Sequence, residues 1–212
     1  MFGVLAAVVR VAVRPEQFRQ LLPIFVLGGV TQWISWIVPI LALVAGYVSI
    51  VDERRSGSIK LLLALPFERA EVFVGKMLGR TAVIGVASAV GFVTMGISVV
   101  VFVGSPSPVG FLGRLVGLFV LTVLLGGVYT TLAVSVSAMV GTRRRAMMSV
   151  TGLFVVTQAA WTGLTQFVYT LATGSGVPVQ PPEWYLFLTY LTPSAAYTRV
   201  ASVVLPLARH PG

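Results

Sequence analysis

Gln158, Thr162, Thr165 and Tyr169 are spaced four, three and four residues apart within an otherwise apolar stretch. On a helix that spacing gathers them on one face, and the chemistry they offer is hydrogen bonding. Such a stripe either lines a polar path through a bundle or ties one helix to the next, the commoner outcome, at about 0.6 kcal/mol per bond. Catalysis has no carriers. Cysteine is absent, which removes thiolate metal sites, disulfides and cysteine nucleophiles together. The one histidine, His210, stands near the end of the chain, and no Asp or Glu falls within a firm apolar run. A hydrolytic centre at membrane depth would therefore lack a base, and a proton relay would lack carboxylates. Met95, Met139, Met147 and Met148 could suggest copper, but methionine also fills cores, and no metal site is expected. No Gly-x-x-x-x-Gly-Lys-Ser/Thr phosphate loop occurs, so ATP is not hydrolysed on these residues. The reading is a chain without catalytic residues or a cofactor of its own.

Composition dictates the elements that hold these side chains. Of 212 residues, 57% are hydrophobic and 10% charged, where a soluble domain carries about 25% charged residues. A mean hydropathy of +0.95 equally excludes disorder, which needs the opposite balance. The fold expected is all-α: a polytopic membrane helical bundle of about four to five spans, each needing roughly 20 apolar residues. Residues 33–51, 81–103, 116–140 and 147–172 qualify. A further run, 184–205, is broken by Pro193 and Arg199 and reads as an interfacial or partly inserted helix. Gly127, Thr131, Ser135 and Ala138 give the third span a small-residue face for close packing against another helix.

The net charge of +9 does not indicate nucleic acid, because the basic residues cluster between apolar runs. Arg54, Arg55, Lys60, Arg69, Lys76 and Arg80 separate the first two spans, and Arg143, Arg144 and Arg145 separate the last two. Lys and Arg mark the cytoplasmic side, which puts residues 52–80 and 141–145 there. Trp33, Trp36, Trp184 and Tyr185 then fall near the opposite interface, as an aromatic belt would. Arg10, Arg14 and Arg19 are left on the wrong side. Either that stretch lies in the interface, or the chain lacks a span that a longer version has.

Residues 52–80 carry the most information. Gly57 breaks the preceding helix and Ser58 is a good N-cap for the next. A short helix over 59–65 would align Leu61, Leu62 and Leu65, and Pro66 ends it. A second helix follows with Ala70, Phe73, Val74, Met77 and Leu78 on its apolar face and Glu68, Arg69, Glu71, Lys76 and Arg80 opposite. Gly75 and Gly79 would admit a close neighbour. The loop either rests on lipid or docks a soluble partner.

The run Glu53-Arg54-x-x-Gly57-Ser58-x-x-Leu61-Leu62-Leu63-x-x-Pro66-x-x-Arg69, continued by Gly75-Lys76, resembles the coupling-helix segment of ABC-2 type transporter permeases. It is most similar to the group that includes the permease of nitrous oxide reductase maturation. Leu191-Thr192-Pro193-Ser194-Ala195-Ala196-Tyr197 resembles that group's Asn-Pro-x-x-Ala-Tyr element, with Thr192 where Asn is usual. The resemblance implies a single transmembrane permease domain over 1–212: a coupling loop at 52–80, a three-span core at 81–172, and an external loop with an interfacial helix at 173–212. It implies an exporter driven by a separate ATPase subunit that carries the ATP and magnesium and docks on the loop. Glu53, Arg54, Gly57 and Ser58 would shape the coupling helix. Leu61, Leu62 and Leu65, before the Pro66 elbow, would seat in the ATPase, with Arg69 and Lys76 at the rim. A second permease, identical or related, would complete the membrane part in the plasma membrane of a prokaryote, in contact with lipid. Family members usually have six spans, so first and last spans are expected to be missing here. The alternative is a non-transporting membrane scaffold or a truncated permease remnant.

Overall fold

Pro108, Thr142 and Thr192 open three of the helices, each through its own backbone chemistry. Proline suits the first helical position, where its missing N–H would be unpaired anyway. The Thr142 and Thr192 hydroxyls each accept from a backbone N–H three residues on, at Arg145 and Ala195, both at 3.4 Å. The computed structural model describes residues 28–46, 69–103, 108–140, 142–178 and 180–205. They form α1 (Gly28–Gly46), α2 (Arg69–Ser98, extended by a π turn, Val99–Val103) and α3 (Pro108–Met139). Next come α4 (Arg143–Val155), a π turn (Val156–Ala160) and α5 (Trp161–Thr173), which make one rod. Two short helices follow, α6 (Glu183–Thr189) and α7 (Pro193–Val204). Among the described residues there is no strand, and four helices are long and apolar enough to cross a membrane. The chain is an all-α polytopic membrane bundle.

α2 begins at Arg69 and, as the amphipathic pattern from Ala70 onward predicts, runs through Gly75 and Gly79 into the span without a break. The start of α3 differs from the sequence reading: it lies at Pro108 rather than near residue 116, absorbing Gly110 and Gly113. A glycine costs a helix about 1 kcal/mol. An amide left unpaired in lipid costs several, so helix wins.

α2 and α3 form an antiparallel pair whose contacts run in reverse order along the two sequences. A Cβ placed on Gly127 would lie 3.4 Å from Thr81, one on Gly126 2.8 Å from Ile84, and one on Gly96 2.9 Å from Leu115. Phe92 and Phe119 meet edge to face at 6.0 Å. Small residues bring the two backbones close, as packing in lipid requires. The small face of α3 is thus used within the chain at Gly127. On the other side of α2, Val83, Val86, Val90, Val93 and Ile97 repeat every three or four residues and are each more than half exposed. That stripe would be a liability in water and is ordinary against lipid.

α1 lies on this pair, parallel to α3. Val38 reaches the Gly126 position at 3.5 Å, and Gly46 stands against Ala133 and 3.4 Å from the Thr130 carbonyl. Val38, Ala42, Leu43, Ile84, Leu125, Tyr129, Ala133, Val150 and Tyr197 make one apolar core, drawn from α1, α2, α3, α4 and α7. Trp36 meets Phe154 edge-on at 6.3 Å, level with the middle of α3 and not at an end where a belt residue would sit.

Residues 183–205 fold as a hairpin rather than one helix. α6 runs antiparallel to α5: Trp184 and Tyr185 pack on Tyr169, and the Leu188 carbonyl accepts from Trp161 Nε1 at 2.9 Å. α7 then runs antiparallel to α3, with Ser194 at Tyr129, Tyr197 at Thr122, and Val204 3.1 Å from a Cβ placed on Gly117. Both arms therefore open toward the Pro108 end of α3, and the turn sits partway along the long helices. The start of α2 and the Arg143 start of α4 are both at the opposite end of the bundle.

Candidate functional site

The densest polar arrangement among the described residues is at the hairpin turn. Tyr129 is fully buried on α3. Its hydroxyl lies 3.0 Å from Ser194 Oγ on α7 and donates to Thr157 Oγ1 in the π turn at 3.3 Å. Seven residues earlier on α3, Thr122 Oγ1 stands 3.3 Å from Tyr197 Oη while donating to the Leu118 carbonyl at 2.7 Å. The residues of the Pro-x-x-Ala-Tyr element thus have distinct tasks. Thr192 caps α7, Pro193 starts it, and Ser194 and Tyr197 bond it to α3. The Arg199 guanidinium lies 5.6 Å above the Tyr190 ring, a cation–π contact that bridges the two arms of the hairpin.

The stripe on the fourth span divides. Gln158 is half-buried, and its Nε2 donates to the Ser35 carbonyl of α1 at 2.6 Å. Thr165 is buried and donates to the Thr162 carbonyl at 3.0 Å. Tyr169 is buried and stacks on Trp184 at 5.4 Å, meeting Tyr185 edge-on at 5.1 Å. Thr162 is exposed. Glu53, Arg54, Gly57, Ser58, Leu61, Leu62, Leu65 and Pro66 lie outside the described residues, as do Arg10, Arg14, Arg19 and His210. Arg69 is the first residue of α2, and Lys76 is half-buried on it. On the same helix Val74 and Leu78 are 49% and 64% exposed, and a Cβ on Gly75 or Gly79 would meet nothing within 4 Å. On the apolar side of this segment Val74 and Leu78 are thus exposed, while Phe73 and Met77 are half-buried.

Sequence reasoning missed Tyr129, Thr157 and Ser194 as a group, because nothing local marks three hydroxyls on three helices as neighbours. The junction predicts a measurable asymmetry. Tyr129→Phe removes the partner of the buried Ser194 hydroxyl, while Thr157 keeps its bond to the Leu153 carbonyl at 2.9 Å. The change should cost about 1–2 kcal/mol, seen as a lower unfolding midpoint in detergent. Thr162→Val, on the exposed side of the stripe, should stay within about 0.5 kcal/mol of wild type. Equal effects would mean that the junction does not hold the hairpin.

The arrangement bonds the helices of the bundle together. Residues 14–210 match the family described as ABC-2 family transporter protein. A probable ABC transporter permease protein NosY from Pseudomonas aeruginosa is 28% identical over 130 residues, 60% of this chain and 46% of the relative. A protein of the same description from Stutzerimonas stutzeri is 26% identical over 155 residues, 73% of this chain and 55% of the relative. The chain spans about half the length of these curated relatives.

Proposed function

The chain belongs to the ABC-2 transporter family, and from that membership we propose that it acts as the membrane-spanning permease subunit of an ATP-binding cassette exporter. The observation that carries the reading is the continuity of α2. Residues 69–103 form one rod of about 52 Å at 1.5 Å per residue, against a bilayer core of about 30 Å. Such a rod joins the 52–80 loop to the α2–α3 interface without a joint between them. A separate ATPase subunit, holding ATP and magnesium, docks on that loop. Leu61, Leu62 and Leu65 seat in it, Glu53, Arg54, Gly57, Ser58 and Pro66 shape the segment, and Arg69 and Lys76 flank it. Closure of the ATPase pushes on α2 as on a lever.

The basic residues of 52–80 and 141–145 face the cytoplasm of a prokaryotic cell, and the α6–α7 hairpin then enters from the outer side. A second permease, identical or related, covers part of the Arg143–Thr173 rod, where Leu164, Phe167, Val168 and Leu171 are exposed. A transport path at this rod is shared between the two copies, with Thr162 on its outward side and Gln158, Thr165 and Tyr169 behind it.

Co-purification tests the reading. The full chain, expressed with the ATPase subunit encoded beside it, should retain that subunit stoichiometrically through size exclusion and alter its rate of ATP hydrolysis. Failure to retain it would overturn the proposal.

A further inference from the structure

Pro39 is buried in the interior of α1, with under 2% of its surface exposed and helix on both sides. Proline has no N–H, and its ring crowds the carbonyl four residues earlier. That carbonyl belongs to Ser35, which is 3% exposed, so water does not readily replace the lost donor. Ser35's own hydroxyl donates to the Gln32 carbonyl at 2.7 Å. The missing bond is supplied from another helix: Gln158 Nε2 reaches the Ser35 carbonyl at 2.6 Å. Prolines are tolerated in membrane helices when a neighbour satisfies the freed backbone group in this way.

We infer that Pro39 is a hinge in α1 and that Gln158 is its releasable latch. The two halves of α1 are packed very differently. Residues 39–46 are fixed on α3, through Ala42 and Leu43 in the core and Gly46 against Ala133. Residues 28–34 are flanked, among the described residues, by open volume on two sides. A cavity of about 140 Å³ separates Gly28 and Gln32 from Thr198 and Ser202 of α7. A groove of about 240 Å³ lies between Val30, Ile34 and the Gly91–Met95 side of α2. Within 28–34, Thr31 is buried and Ile34 packs at the edge of both apolar cores, so this half rests on the bundle with cavities beside it. A helix fixed beyond a proline and more loosely packed before it has one place to bend. The donor is a side chain on a π turn, a feature that recurs at functional sites, and a side chain can rotate away where a backbone amide cannot. Opening the latch frees 28–34 to swing while 39–46 stays on α3. The use of this hinge during transport rests on the permease reading; the latch itself does not.

The test is a double-mutant cycle on the full chain in nanodiscs, with no ATPase present, so loss of partner capture cannot imitate its result. Gln158→Met keeps the volume and removes the donor, and should lower the unfolding midpoint by about 3–6 °C. Pro39→Ala returns an N–H to Ser35 within α1. In that background Gln158→Met should shift the midpoint by no more than about 1 °C, because the carbonyl no longer needs it. A second readout follows motion. The chain lacks cysteine, so Trp33→Cys with Leu171→Cys, at sites 69% and 71% exposed, carry spin labels cleanly. Gln158→Met should broaden the distance distribution, and adding Pro39→Ala should narrow it again. An equal cost of Gln158→Met in both backgrounds, or an unchanged distribution, overturns the latch.

Discussion

Gly46→Leu is expected to prevent α1 from docking, leaving a chain that aggregates on extraction from the membrane. At Gly46 a single added carbon would collide with Ala133 Cβ and would stand 3.4 Å from the Thr130 carbonyl oxygen and 3.5 Å from Ala133 Cα. Two of these are backbone atoms and the third is fixed to backbone, so no rotamer change gives relief, and both partner residues are fully buried. α1 would have to withdraw, opening the core around Ala42 and Leu43. Overpacking ordinarily costs about 1–3 kcal/mol per site. Gly46→Ala should fall at or above the top of that range, and leucine, with three more carbons, well beyond it. Gly96→Ala is the informative contrast. Its new carbon would meet Leu115 Cδ2 at 2.9 Å, the movable tip of a side chain, and should cost less than about 1 kcal/mol. Gly75→Ala and Gly79→Ala point into open space and should stabilise α2 by up to about 1 kcal/mol each. The measurement is the unfolding midpoint in one detergent for all five proteins. A Gly46→Ala midpoint no lower than that of Gly96→Ala would contradict the α1–α3 contact.

The contrast among these glycines also shows what could be read from sequence and what could not. Gly75-x-x-x-Gly79 has the spacing of a close helix contact, yet among the described residues it meets nothing within 4 Å. Gly46, which carries the closest approach, stands four residues after Ala42, a small pair that the sequence reading did not single out. Spacing tells which side of a helix is small. It does not tell which neighbour arrives there, because that depends on how α1 settles into the groove of α2 and α3. The spans themselves were legible, since an apolar run of sufficient length in lipid has little choice but helix. The start of α3 was not, because glycine and proline, which punctuate soluble chains, are outweighed by the cost of unpaired amides. Residues 184–205 illustrate a different limit. Pro193 correctly signalled an interruption whereas Arg199 lies within the unbroken α7, and the return of α7 along α3 depends on Tyr129 and Thr122, more than sixty residues away. Gln158 was visible as a polar residue in an apolar helix, and its role became clear only with Pro39 placed opposite. A buried proline and a lone amide are each ambiguous. Together they account for one missing hydrogen bond.

Leu62→Asp should abolish capture of the ATPase while leaving the helical bundle intact, and the size of the effect follows from the proposed docking. Burying a leucine side chain contributes about 1.5–3 kcal/mol. Putting a carboxylate in its place adds the penalty of an unpaired polar group, at least about 1–3 kcal/mol. A combined loss near 4 kcal/mol lowers affinity about a thousandfold, enough to empty a complex during size exclusion. Gly57→Trp reaches the same outcome by another route, placing a bulky ring where the two helical segments must separate. Two comparisons keep the result specific. Arg144→Gln lies on exposed α4 and removes one surface charge, worth at most about 1 kcal/mol, so capture should fall by less than about fivefold. The unfolding midpoint of Leu62→Asp without ATPase should match wild type, because a docking residue supports the partner and not the bundle. If Leu62→Asp and Gly57→Trp both retain the ATPase as wild type does, the 52–80 loop is not the docking surface. If Leu62→Asp unfolds the bundle, the leucine packs against the membrane helices and the loop rests on its own protein. Loss of capture at an unchanged midpoint is the outcome that a coupling surface demands, and the continuous α2 rod would then carry the ATPase's movement to the α2–α3 interface.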